Sequence, residues 1–159
     1  MDGALLAIAA GLNDCGFGGW ARSSPSAYPF ANVVHLLGLV MLIGSIGVVD
    51  LRIAGLWRAI PLAPLARALI PVAAAGLVIL AGSGLILFAA DGRALAVSDT
   101  FQLKVLLIGA GLANVLLFRL LRRGHESAAD PALPVRFAAL LSLLIWLGVG
   151  TAGRMIAYA

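Results

Sequence analysis

The chain has 159 residues, of which 62% are hydrophobic and 11% charged, and its mean hydropathy is +1.08. A soluble domain is nearer half apolar and a quarter charged, and a globule of this size cannot hide so much Leu, Ala, Val and Ile in one core. Disorder is excluded too, because it needs low hydrophobicity and high charge, so the composition defines an integral membrane protein.

The net charge is +4, from eleven Lys or Arg against seven Asp or Glu. In this setting the basic excess marks cytoplasmic loops and contact with anionic lipid head groups, not a nucleic-acid surface. The expected partners are the lipid bilayer and either another membrane protein or a second copy of the chain. Cys15 is the single cysteine, so an intramolecular disulfide is impossible.

The first apolar stretch, Ala4 to Leu12, is too short to cross a bilayer. No Lys or Arg precedes it and no small-x-small cleavage site follows, so it does not read as a signal peptide. Residues 4–14 are expected to form a short amphipathic helix at the interface, with Trp20 and Tyr28 as aromatic anchors. Ser23, Ser24, Pro25 and Ser26 then break the chain.

Four long apolar segments follow, at about 28–51, 65–90, 100–121 and 133–158. Each exceeds the roughly 20 residues a membrane helix needs, and none alternates as the strands of a membrane barrel do. Tyr28-Pro29 suits a first helical turn, Pro71 interrupts the second segment, and Asp99 is the expected N-cap of the third. Short linkers make antiparallel neighbours the default. The expected fold is all-α: a single membrane domain, an up-down-up-down bundle of four helices.

Orientation follows from the basic residues near the helix ends. Arg52, Arg58, Arg67, Arg119, Arg122, Arg123 and Arg136 lie on the side of the first and third linkers, against Arg22, Arg93, Lys104 and Arg154 on the other. The positive-inside rule then puts those linkers in the cytoplasm and both termini outside, which in a bacterial inner membrane is the periplasm.

Ionisable groups within spans are costly and tend to face the bundle interior. His35 lies seven residues into the first span, about 10 Å deep at 1.5 Å per residue. Lys104, near the start of the third span, and Arg154, near the end of the fourth, fall at similar depth in the outer leaflet. Three basic-capable groups at one level are expected to line a site for something negative: a carboxylate, a propionate, a quinone oxygen or a lipid phosphate. The competing expectation is that Lys104 and Arg154 snorkel while His35 bonds a carbonyl or a serine such as Ser45.

The inner half holds Asp50, Arg52, Asn114 and Arg119. A carboxylate near a helix C-terminus opposes the macrodipole, so Asp50 is expected to pair with Arg52, Arg119 or the Asn114 amide in a structural network. The glycines scattered through every span read as sites of close helix contact. No serine joins a His and an acid in a catalytic motif, and phosphate-binding loops are missing, so no enzymatic activity is assigned. Haem b and quinone are the cofactors to weigh; haem has His35 as its one plausible ligand, since His125 falls in a loop on the opposite side. Three Met and one Cys are thin for copper(I).

The strings SAYPFANVVHLLGLVML, VVDLRIAGLWR, LIPVAAAGLVILAGSGLILF and DTFQLKVLLIGAGLANVLLFR resemble a family of small bacterial inner-membrane proteins known as a domain of unknown function. The matching positions are Tyr28, Pro29, His35, Asp50, Leu51, Arg52, Gly55, Phe101, Lys104 and Asn114, with Ile70-Pro71 in place of the family's Leu-Pro. The likeness covers roughly residues 18–122 and supports the topology. A more distant similarity is to the membrane domain of the copper-resistance D proteins, which implies copper handling as a further alternative. Phe118-Arg119 stands where the family often carries a second His, which weakens metal and haem readings alike.

Overall fold

In the computed structural model, residues 1–122 and 132–158 are described. They are helical throughout apart from turns: α1 (Asp2–Asp14), α2 (Phe17–Ser23), α3 (Ala27–Ala54), α4 (Leu62–Ala96), α5 (Asp99–Arg122) and α6 (Leu133–Met155), the last followed by a 3₁₀ turn, Ile156–Tyr158. The linker residues Arg123, His125, Glu126 and Asp130 lie outside the described residues. Four helices, α3 to α6, are long and apolar enough to cross a membrane. Their outward faces carry Phe30, Val33, Val40, Val78, Leu106, Phe137 and Leu144, all exposed. A chain that turns such side chains outward along every long helix is built for lipid, where apolar surface costs nothing.

Pairwise contacts fix the topology. His35 meets Ser83, Gly38 meets Gly76, and Ile53 clusters with Ala66, so α3 and α4 run antiparallel. Gly153 beside Lys104, Gly148 beside Leu107 and Gly111 beside Trp146 set α5 against α6 in the same sense. Gly47 beside Leu143 and Gly150 beside Ile43 join α3 to α6, again antiparallel. The bundle is therefore a row, α4–α3–α6–α5. The consecutive helices α4 and α5 touch sparsely, at one end, where the Phe88 and Phe101 rings stack 5.4 Å apart.

The tightest contact is between α3 and α4. A Cβ placed on Gly76 would stand 2.8 Å from the Gly38 carbonyl and from the Leu42 amide nitrogen; one on Gly38 would stand 2.9 Å from the Gly76 carbonyl. The two backbones lie against each other, as small residues permit. Gly111 plays a similar part, with the Trp146 ring 3.0 Å from where its Cβ would be. Gly44, Gly82 and Gly109 have open space instead.

The helix ends depart from sequence expectation in three places. The second span does not stop at Ala90. Its backbone kinks at Asp91 (φ −125°, ψ 25°) and resumes as helix to Ala96, because Ala, Leu and Arg after Gly92 favour helix and Gly92 packs against Ala9 of α1. The kink interrupts the hydrogen-bond ladder, and the Ala90 carbonyl is taken by Arg22 Nη1 at 3.1 Å. Second, the cap of α5 is Ser98 and not Asp99: the Ser98 hydroxyl accepts the Phe101 N–H, three residues on, while Asp99 sits in the first turn. Third, the N-terminal segment forms two helices, separated at Gly16 with a left-handed backbone (φ 81°). They fold onto the kinked end of α4, with Ala21 fully buried against Ala89 and Ala90.

At the other end, α3 closes on Gly55 (φ 120°), whose amide reaches Arg52 O while the Leu56 amide reaches Leu51 O. This is a Schellman ending. Arg52 then folds back, donating Nε to Ile60 O at 2.7 Å and Nη2 to Arg58 O at 3.1 Å.

Gly76→Leu should lower the thermal midpoint in detergent by an amount equivalent to about 1–3 kcal/mol, the usual range for overpacking. Gly44→Ala, with nothing nearby, should leave the midpoint unchanged. Equal effects from the two would mean the α3–α4 contact is not the tight one.

Candidate functional site

The half of the bundle nearer the chain termini holds the first group of polar residues. His35 projects from α3 onto α4, where its ring lies 3.3 Å from the Cβ position of Gly84 and its Nδ1 is 2.9 Å from Ser83 Oγ. The absence of a side chain at Gly84 is what lets the imidazole lie against α4. Ser83 Oγ also sits 2.6 Å from Ile79 O, one turn back on its own helix. That carbonyl can only accept, so it takes the hydroxyl proton. Ser83 Oγ is then an acceptor for His35, and the Leu80 carbonyl is a second acceptor for the same ring. The Ser83 bond assigns the proton to Nδ1 and leaves Nε2 with its lone pair. The serine that holds His35 is thus Ser83 of the neighbouring helix rather than Ser45 of its own.

Lys104 crosses from α5 to α6 and lies along Gly153, its Nζ 3.2 Å from that residue's Cβ position. It is half-buried, and among the described residues no acid pairs with it. His35 is within electrostatic reach of the ammonium group. Arg154 does not join them. It is exposed near the end of α6, donates Nη2 to Tyr158 Oη at 2.7 Å and stacks its guanidinium 5.1 Å from the centre of that ring. A guanidinium that close to the helix end reaches the interface without entering the bundle.

The polar residues of the opposite half, nearer the α3–α4 linker, form separate attachments. Asp50, 4% exposed, accepts a hydrogen bond from the Ser142 hydroxyl of α6. Asn114, 5% exposed, donates Nδ2 to the Ala138 carbonyl of α6 at 3.0 Å. Arg52 is committed to the linker carbonyls, and Arg119 is exposed on α5. Pairing of Asp50 with Arg52 or Arg119 is therefore replaced by a bond to a hydroxyl on the central helix, because Arg52 finds closer acceptors where the linker doubles back.

Ser83 and Ser142 are the two site residues that sequence reasoning missed. A signal for Ser83 existed: with a linker as short as 55–61, an antiparallel register pairs residue 35 with the low eighties. Among the described residues no three His, Cys, Asp or Glu side chains gather as a metal site.

Helices that turn their apolar faces outward and enclose a few ionisable side chains define a multi-pass helical membrane protein. The chain belongs to the Family of unknown function (DUF6644), whose model matches residues 16–159 and so takes in the fourth span as well as the first three. No curated protein and no solved structure shows a significant match.

Imidazole ¹⁵N shifts should report the Nδ1–H tautomer for His35, and Ser83→Ala should disturb that tautomer while leaving the helix content unchanged. An Nε2–H tautomer in the unsubstituted protein would overturn the hydrogen-bond assignment.

Proposed function

We propose that this chain is a bacterial inner-membrane binding or accessory subunit that holds an amphiphile by its polar head in the outer leaflet, at His35 and Lys104, without transforming it. The observation that carries this reading is the half-buried Lys104 ammonium, inside a span, with no acid paired to it among the described residues and His35 close by. An uncompensated cation in hydrocarbon is expensive and marks a binding site more often than a structural one. The pair asks for a particular head group. Lys104 donates to an acceptor or anionic oxygen, while the His35 Nε2 lone pair accepts from a hydroxyl. A quinol meets both demands, as does a carboxyl or phosphate that keeps one proton. The sparse contact between α4 and α5 gives such a molecule lateral access from the lipid.

The lone pair on Nε2 also supports a second reading, in which His35 is one axial ligand of haem b. A Soret band in the purified protein, lost in His35→Ala, would favour it.

Mass spectrometry of protein extracted gently into native-lipid particles should find an acidic or quinone-type amphiphile. Lys104→Met should deplete it about tenfold, the loss of one interaction worth about 1.4 kcal/mol. An identical lipid complement in the unsubstituted protein and the His35→Ala/Lys104→Met double variant would end the reading.

The proposed orientation places the first and third linkers in the cytoplasm and both termini in the periplasm. Reporter fusions after residue 60 should read cytoplasmic, and fusions after residue 97 and at the C-terminus should read external. A cytoplasmic signal at the C-terminus would invert the arrangement and put His35 and Lys104 in the inner leaflet.

A further inference from the structure

Among the described residues, two buried oxygens in the inner half of the bundle have no hydrogen-bond partner: Asp50 Oδ2 and Asn114 Oδ1. Buried polar atoms are nearly always bonded. Both residues attach to α6 within one turn of each other. Asp50 reaches it from α3 by way of Ser142, and Asn114 reaches it from α5 by way of the Ala138 carbonyl. Ala138 and Ser142 are four residues apart on α6 and so lie one turn apart on one face. Leu143 against Gly47 and Ile145 against Gly111 put α3 and α5 on either side of that face.

An amide oxygen and an ionised carboxylate are both pure acceptors. They cannot satisfy one another unless one of them carries a proton. No described basic group pairs with Asp50. Arg52, two residues further along α3, is held by linker carbonyls. Arg119 on α5 and Arg67 on α4 are exposed, Arg136 lies half-buried in the first turn of α6, and Lys104 and His35 belong to the outer half.

We propose that Asp50 Oδ2 carries an exchangeable proton and donates it to Asn114 Oδ1, so that Asp50, Asn114 and Ser142 form a proton-binding site inside the bilayer. One proton turns an acceptor into a donor, supplies both orphaned oxygens and removes the negative charge of the carboxylate. A metal cation would also neutralise the carboxylate, but it demands more oxygen ligands than these three side chains provide. Asp50 stands four residues before the end of α3, at the side of the Arg52-braced linker, so release of the proton leads toward that surface.

The test is infrared spectroscopy of the full chain in lipid bilayers at neutral pH, in H₂O and D₂O. The expected result is a protonated-carboxyl C=O stretch that moves on deuteration, disappears in Asp50→Asn and rises in frequency in Asn114→Leu, where its acceptor is gone. Asp50→Asn places an N–H where the O–H stood and should keep the thermal midpoint of the unsubstituted protein, whereas Asp50→Ala should lower it. Absence of the band, a band indifferent to Asn114→Leu, or a sodium-dependent rise in thermal midpoint that Asp50→Asn abolishes would each overturn the proposal.

Discussion

Between membrane helices the surrounding lipid is as apolar as the side chains, so association depends on close fit. In this chain the closest fit is the crossing of Gly38 and Gly76, where the two backbones meet with no room for a Cβ on either side. That contact sets the register of α3 on α4. Toward the chain termini it brings His35 onto Ser83 and Gly84; toward the α3–α4 linker it brings Ile53 onto Ala66. A slip of one residue would turn His35 by about 100° around its helix and take it off the serine that fixes its tautomer.

The second organiser is α6, which lies between α3 and α5 and supplies partners to both. Its Ser142 serves Asp50, its Ala138 carbonyl serves Asn114, and its Gly153 makes room for Lys104. Trp146 and Val149 complete a central cluster with Leu42 and Ala73. Polar residues are therefore distributed along the bundle, with a basic pair in the half nearer the termini and buried oxygens in the half nearer the α3–α4 linker. The apolar cluster lies between the two sets.

The spans and their antiparallel succession were legible because hydropathy over about 20 residues and short linkers leave few alternatives. His35, Lys104, Asp50 and Asn114 stood out for the same reason that ionisable and amide groups always do in hydrocarbon. Their partners were not legible in the same way. Which helix receives a side chain depends on lateral order, and nothing in the linkers says that α6 rather than α4 lies beside α5. Ser142 was invisible on that account. The kink at Asp91 was hidden for a different reason: Ala94, Leu95 and Ala96 have strong helix propensity, while the turn composition of Asp91-Gly92 argues the other way. The placement of Arg154 was read by depth alone, which says nothing about the Tyr158 ring one turn further on.

The row α4–α3–α6–α5 has a consequence for how the protein is made. Each half of it, α3 with α4 and α5 with α6, is a helical hairpin joined by contacts close in sequence, and the halves meet along the α3–α6 junction. Local contacts form early and distant ones late. During synthesis the first hairpin can leave the translocon with its glycine crossing already closed, and wait in the bilayer for the second. Until α6 arrives, Asp50 is without Ser142, so its side chain is a part of the nascent chain that gains from completion of the bundle.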